Sequence, residues 1–186
     1  MDNEQKNILL KTAKQTITAA VNENKIPHPQ SDDPQLNALQ GCFVTIKNAQ
    51  QLRGCIGQFT SKTPLIKLIS EMAIASSTRD PRFFDNPITP NELNYLTIEI
   101  SVLSPLQLTK NPLDLKLGTH GIFIQKGPLS GCFLPQVATE TGWSKQQFLE
   151  NCCSHKAGLN PDAWKNPNTK VYLFTADIFS KDFKDI

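Results

Sequence analysis

The sequence predicts an α+β fold of antiparallel sheets with flanking helices. Three observations carry that prediction. Apolar residues recur at three- and four-residue spacing over residues 4–24, they alternate with period two over Tyr95–Leu103, and extended runs come in pairs joined by short polar turns. The length of 186 residues, 39% apolar and 19% charged, suits one domain or two closely joined subdomains and is far from a disordered composition.

In chain order, Leu9, Ala13, Ile17, Ala20 and Val21 form one stripe of a first helix, which Pro27 and Pro29 end. The polar, proline-rich segment from Ile26 to Leu39 is a surface loop with a helical turn near Leu36. Cys42–Ile46 and Leu52–Phe59 pair as a hairpin across Lys47–Gln51. Thr63-Pro64 starts a second helix whose face runs through Leu65, Ile69, Met72, Ala73 and Ser76 to Asp80, which Pro81 forces out of helical geometry. Leu96, Ile98, Ile100 and Val102 mark the buried side of the next strand. Gly121–Gln125 and Gly131–Leu134 flank a turn and form a smaller hairpin. Ser144 and Gln147 box the start of a helix over Lys145–Ala157, with Trp143 and Phe148 as its staple and Gly158 as its C-terminal cap. Val171–Phe179 is a last strand that returns to the first sheet. Residues 1–105 and 170–186 then make a larger subdomain, and 106–169 a smaller inserted one.

Composition narrows the function. The formal charge of +2 comes from 19 basic and 17 acidic residues spread along the chain, which leaves no stripe for a nucleic-acid backbone. Met1–Lys6 lacks a secretory pattern and no apolar run reaches membrane-spanning length, so a cytoplasmic protein with no membrane contact is expected. Cysteines 42, 55, 132, 152 and 153 lack CxxC spacing, and the three histidines lack HxH or HExxH spacing. Reduced thiols are expected, with no metal and no cofactor. Phosphate-loop, dinucleotide and nucleophile-elbow motifs are missing.

Chemistry concentrates in Leu52-Arg53-Gly54-Cys55-Ile56-Gly57. On a regular strand Arg53 and Cys55 share a face, where a guanidinium favours the thiolate, and Gly54 and Gly57 admit close approach of a ligand or backbone. The competing reading makes Cys55 a small buried hydrophobe beside a bulge. Asp80 can orient Arg82 by a bidentate pair at a rigid turn, or the two form an ordinary helix-end contact. His120, between Gly118 and Gly121, is a candidate base or an exposed loop residue; Gln136 offers an amide to a ligand or merely opens a helix.

Leu52–Gly57, Asp80-Pro81-Arg82-Phe83, Gly118–Gly121, Leu134-Pro135-Gln136-Val137 and Lys156-Ala157-Gly158-Leu159 occur in the order of the AMMECR domain family, which the chain resembles over almost its whole length. Prokaryotic members are also called AmmeMemoRadiSam system protein A, after their association with Memo-like and radical-SAM proteins. The resemblance implies a larger subdomain with a five-stranded antiparallel sheet and a smaller one with three strands. It further implies a cleft between them lined by Leu52, Arg53, Gly54, Cys55, Ile56 and Gly57, with Asp80, Arg82, His120 and Gln136 as neighbours. This chain departs from the family pattern at Thr119, where arginine is common, at Ser130–Phe133, and in one extra residue within Glu150–His155.

Two functions are compatible with these residues. In one, Cys55 acts as nucleophile or acid/base group on a peptide, protein or other sizeable substrate, with Arg53 polarising and His120 shuttling a proton. In the other, the protein binds a peptide or partner protein without catalysis, using Arg53 and Arg82 for a carboxylate. RNA modification or binding ranks third because the charge is dispersed.

Overall fold

The computed structural model describes residues 1–186, grouped into two compact units, Met1–Leu103 with Asp177–Ile186, and Ser104–Ala176. Helix α1 (Asn3–Val21) opens with a capping box between Asp2 and Gln5 and buries Leu9, Leu10, Ala13, Ile17 and Ala19. Ala19 rather than Ala20 completes the stripe. Strands β1 (Cys42–Asn48) and β2 (Gln51–Gln58) are joined by two residues, Ala49 and Gln50, both at positive φ (46° and 71°). That left-handed pair matches the twist of a tight hairpin and replaces the five-residue loop expected from the sequence.

Helix α2 (Leu65–Thr78) starts at Pro64, which has no side chain to cap it. The turn at Leu36 supplies the missing acceptors: Leu65 and Ile66 donate their N–H groups to the carbonyls of Ala38 and Leu36 at 3.1 and 2.9 Å. Leu36 itself is fully buried. Strand β3 (Leu96–Leu103) pairs with β1 so that Val44 faces Ile100 and Ile46 faces Ile98, all at 0% exposure. These side chains meet Leu9 and Ile17 of α1 and Leu65, Leu68 and Ile69 of α2 in one core, each contributing roughly 1.5–3 kcal/mol of apolar burial.

The second unit holds β4 (Gln107–Leu108), β5 (Gly121–Lys126), β6 (Leu129–Phe133), helix α3 (Pro135–Thr141), helix α4 (Lys145–Asn151) and β7 (Lys170–Phe174). The Ser144–Gln147 box caps α4, and Trp143 and Phe148 both lie against the Phe133 ring. After α4 the chain continues as a π turn, Cys152–Lys156, and Leu159 N–H returns to the Cys153 carbonyl at 2.8 Å beyond Gly158 at φ 65°. A π turn is how a helix takes in one extra residue without rotating the segment beyond it. It coincides with the extra residue noted in Glu150–His155. Gly131 is fitted to it, since a Cβ there would lie 2.4 Å from the Ala157 nitrogen.

The sheets are ordered β2-β1-β3-β8 and β4-β7-β5-β6, four strands each. The expected five and three strands are therefore corrected. The tail read as one strand over Val171–Phe179 is two: β7 joins the second sheet, and β8 (Ala176–Asp182) lies beside β3 in the first. Thr175 separates them, its N–H tied to the Ser104 hydroxyl at 2.9 Å. The two-residue β4 pairs with β7 and is too short to give a periodic signal.

Candidate functional site

Strand β2 is an edge of the first sheet. Its register with β1 runs from Cys42↔Gln58 to Ile46↔Gly54 and then jumps to Lys47↔Leu52, leaving Arg53 unpaired as a bulge. The regular alternation that would put Arg53 beside Cys55 is broken at that residue. Cys55 stays opposite Thr45, whose hydroxyl donates to Sγ at 3.2 Å. Arg53, 8% exposed, turns instead to Glu92: Nε to Oε1 and Nη2 to Oε2, both 3.0 Å, with Nη2 also on the Pro87 carbonyl at 3.2 Å. Asn48 donates to the same Glu92 Oε1 at 3.1 Å. Burial raises the Glu92 pKa, but the hydrogen bonds from Arg53 and Asn48 outweigh it and the net shift is downward.

Pro81 stops α2 and leaves Asp80 extended, its side chain folded back toward β2. Asp80 is 3% exposed and Oδ2 accepts the Cys55 N–H at 2.9 Å. Arg82 clasps the same carboxylate, Nε to Oδ1 at 2.9 Å and Nη2 to Oδ2 at 2.6 Å, while Nη2 reaches the Cys55 carbonyl at 3.1 Å. Both outward backbone groups of Cys55 are thus held by side chains, as a neighbouring strand would hold them. The open edge is closed at that point. The Arg82 guanidinium above all, with the Cys55 and Arg82 N–H groups, overcomes burial and holds the Asp80 carboxyl at about 2. Asp80 in turn raises the Arg82 pKa above its ordinary value.

The glycines serve packing. A Cβ on Gly54 would lie 1.9 Å from the Ser76 carbonyl oxygen, and one on Gly57 would lie 2.3 Å from the Cys42 carbonyl and the Phe43 ring. Ser76, 1% exposed, accepts the Ile56 N–H at 2.9 Å and donates to the Val44 carbonyl at 2.7 Å, joining α2 to both strands of the hairpin. Leu52, Cys55, Ile56 and Gly57 are half-buried. What the rim leaves outward is the Arg82 side chain, 53% exposed with no partner on Nη1, and the Phe84 ring, 63% exposed.

His120 and Gln136 belong to the second unit. The His120 N–H donates to the Lys116 carbonyl at 2.8 Å, and Nδ1 accepts the Lys116 N–H at 3.1 Å. Neutral His120 therefore carries its proton on Nε2. The ring lines a pocket of about 340 Å³ with Ser104, Thr109, Lys110 and Thr175. Gln136 opens α3, and its Oε1 is buried with no hydrogen-bond partner. No group of three or more His, Cys, Asp or Glu side chains is placed to hold a metal, and no helix is long and apolar enough to cross a membrane.

Sequence reasoning does not reach the roles of Glu92, Ser76 and Thr45. Thr89-Pro90-Asn91-Glu92 has the spacing of a capping box, which the structure forms, and that pattern is a usable signal. Ser76 and Thr45 carry none beyond their place among apolar neighbours.

A family model for AMMECR1 matches residues 10–179. Protein TK0174 of Thermococcus kodakarensis is 39% identical over 94% of this chain and 89% of its own length. Protein PH0010 of Pyrococcus horikoshii is 38% identical with the same coverage of each chain. The crystal structure of the uncharacterized protein PH0010 superposes with a TM-score of 0.89 at 37% identity, covering 100% of this chain and 95% of that one. With both the family model and these relatives spanning nearly its full length, this chain belongs to the AMMECR1 family.

Proposed function

We propose that this chain is a peptide- or protein-binding module whose contact surface is the rim of β2 at Cys55, Arg82 and Phe84. The observation that carries the reading is the state of Arg82. Asp80 and the Cys55 carbonyl fix its Nε and Nη2, while Nη1 and its two N–H groups stay unpaired at a half-exposed position. A guanidinium held rigid in this way loses little freedom on gripping a carboxylate or a peptide carbonyl. The Arg82 guanidinium lies over the Phe83 ring at 5.5 Å, and the exposed Phe84, two residues along the chain, supplies apolar contact. Arg53, the other cation considered for that task, is committed to Glu92. Memo-like and radical-SAM proteins are candidate partners through the family association.

Thiol chemistry is the second reading, and the half-exposed Cys55 beside the Thr45 hydroxyl favours it. It lacks a base: Sγ faces the Thr45 hydroxyl and the Arg82 guanidinium, and neither can take its proton. Affinity selection of a random peptide library on the immobilised wild-type protein, with Cys55→Ser as the comparison, separates the two. The binding reading expects enrichment of peptides carrying a carboxylate and an apolar residue, lost on Arg82→Lys. Selection that yields nothing, together with substrate turnover abolished by Cys55→Ser, would overturn it.

A further inference from the structure

We infer that the guest of the Arg82 rim is the free C-terminal end of an extended peptide, which adds to β2 as an antiparallel strand at Gly57 and sets its terminal carboxylate on the Arg82 guanidinium. This rests on the binding reading of that rim and specifies what is bound there and in which direction it runs.

The first observation is the direction of the backbone groups along β2, the outermost strand of its sheet. Cys55 turns its N–H and carbonyl outward, to Asp80 and Arg82. Ile56 turns its N–H inward, to the Ser76 hydroxyl that also donates to the carbonyl of Val44, its pair partner on β1. Pairing is regular from Gly54 to Gln58, so Gly57 repeats the orientation of Cys55 and points its N–H and C=O outward. Neither group has a hydrogen-bond partner, and Gly57 is half-buried, not sealed. An open pair of this kind is what a guest strand engages: one residue of the guest exchanges both bonds with Gly57.

The second observation is the difference between the two ends of that open stretch. On the Cys55 side, Asp80 and Arg82 already fill the place of a neighbouring strand, so a guest paired with Gly57 has to end there. Gly57 and Cys55 lie about 7 Å apart along the strand, the reach of one or two guest residues. The group that meets the end of the guest is a guanidinium whose Nη1 carries unpaired N–H groups, while the Asp80 carboxylate is spent on Arg82 and on the Cys55 N–H. An antiparallel guest brings its C-terminal carboxylate to that cation. A parallel guest would bring its N-terminal ammonium, which the guanidinium repels. The charge at the end of the open stretch therefore selects both the chemical end of the peptide and its direction.

Two pools of N-acetylated random octapeptides, one with a free C-terminal carboxylate and one with a C-terminal amide, are selected on the immobilised wild-type protein and on Arg82→Lys. The free-acid pool should be enriched on wild type and the amide pool should not. For an enriched peptide, amidation of its C-terminus should weaken binding about tenfold or more. N-methylation of one amide, the second or third from the C-terminal end, should do the same, while the amides on either side of it, which point away from β2, tolerate the methyl group. The peptide should also slow hydrogen exchange at the Gly57 amide and leave that of Cys55 unchanged. Equal enrichment of the amide pool, with binding still lost on Arg82→Lys, would overturn the terminal-carboxylate assignment and leave the binding reading standing. Binding that needs the terminal carboxylate but shows neither an N-methyl effect nor protection at Gly57 would overturn the strand addition. Enrichment from neither pool, or enrichment indifferent to Arg82→Lys, overturns the binding reading as well.

Discussion

Replacing Asp80 by Asn tests the clamp on β2 with little change of shape. The carboxylate is 3% exposed, and its pKa is held at about 2 against an ordinary value of 3.8. By linkage that gap corresponds to about 2 kcal/mol of folding stability at neutral pH. Because the folded-state pKa is depressed, the contribution is complete above pH 4 and fades as pH falls toward 2. Urea denaturation of wild type and Asp80→Asn between pH 7 and pH 2.5 measures it. The variant should be less stable by about 2 kcal/mol at pH 7, with the difference shrinking as wild type protonates Asp80. Asp80→Ala should cost more, about 3–5 kcal/mol, since it also leaves the Cys55 N–H and a guanidinium without their acceptor. A difference that stays constant to pH 2.5, or one below about 0.5 kcal/mol at pH 7, would refute the assignment of Asp80 as a charged clamp.

Four further outcomes are expected. Gly54→Ala drives a Cβ into the Ser76 carbonyl and should lower stability by about 3 kcal/mol or more in thermal unfolding, whereas Gln50→Gly relieves a positive φ and should raise it by about 0.5–1 kcal/mol. Ser76→Ala should cost about 1–3 kcal/mol and speed amide exchange at Ile56, whose N–H loses its acceptor. Under native conditions a thiol reagent should label Cys55 and Cys132 ahead of Cys42, Cys152 and Cys153, which are fully buried. Burial pushes the Cys42 thiol up to about 12.

Much of the first sheet was legible because its strands carry strong local signals. The alternation of Leu96, Ile98, Ile100 and Val102 on β3 and the apolar β1 fix their own buried faces. The second sheet was read less well: β4 has two residues, and β7 and β8 form one apolar run whose division at Thr175 is set by which sheet each half joins. At the site, Leu52–Gly57 and Asp80–Arg82 stood out by residue type, but their connection did not. A bulge of one residue at Arg53 changes every orientation beyond it, and period-two reasoning has no means of seeing it. Glu92 lies 39 residues from Arg53 in sequence, and only the fold brings its carboxylate to that guanidinium.

The rim at Arg82 is the centre of the functional account, and titration calorimetry of one library-selected peptide into three proteins tests it most directly. Cys55→Ser should bind within about twofold of wild type, and Arg82→Lys, which keeps the charge but loses the fixed fork, should bind about tenfold or more weakly. Undiminished binding by Arg82→Lys with loss of binding in Cys55→Ser would contradict the account and return the thiol to the centre of the site.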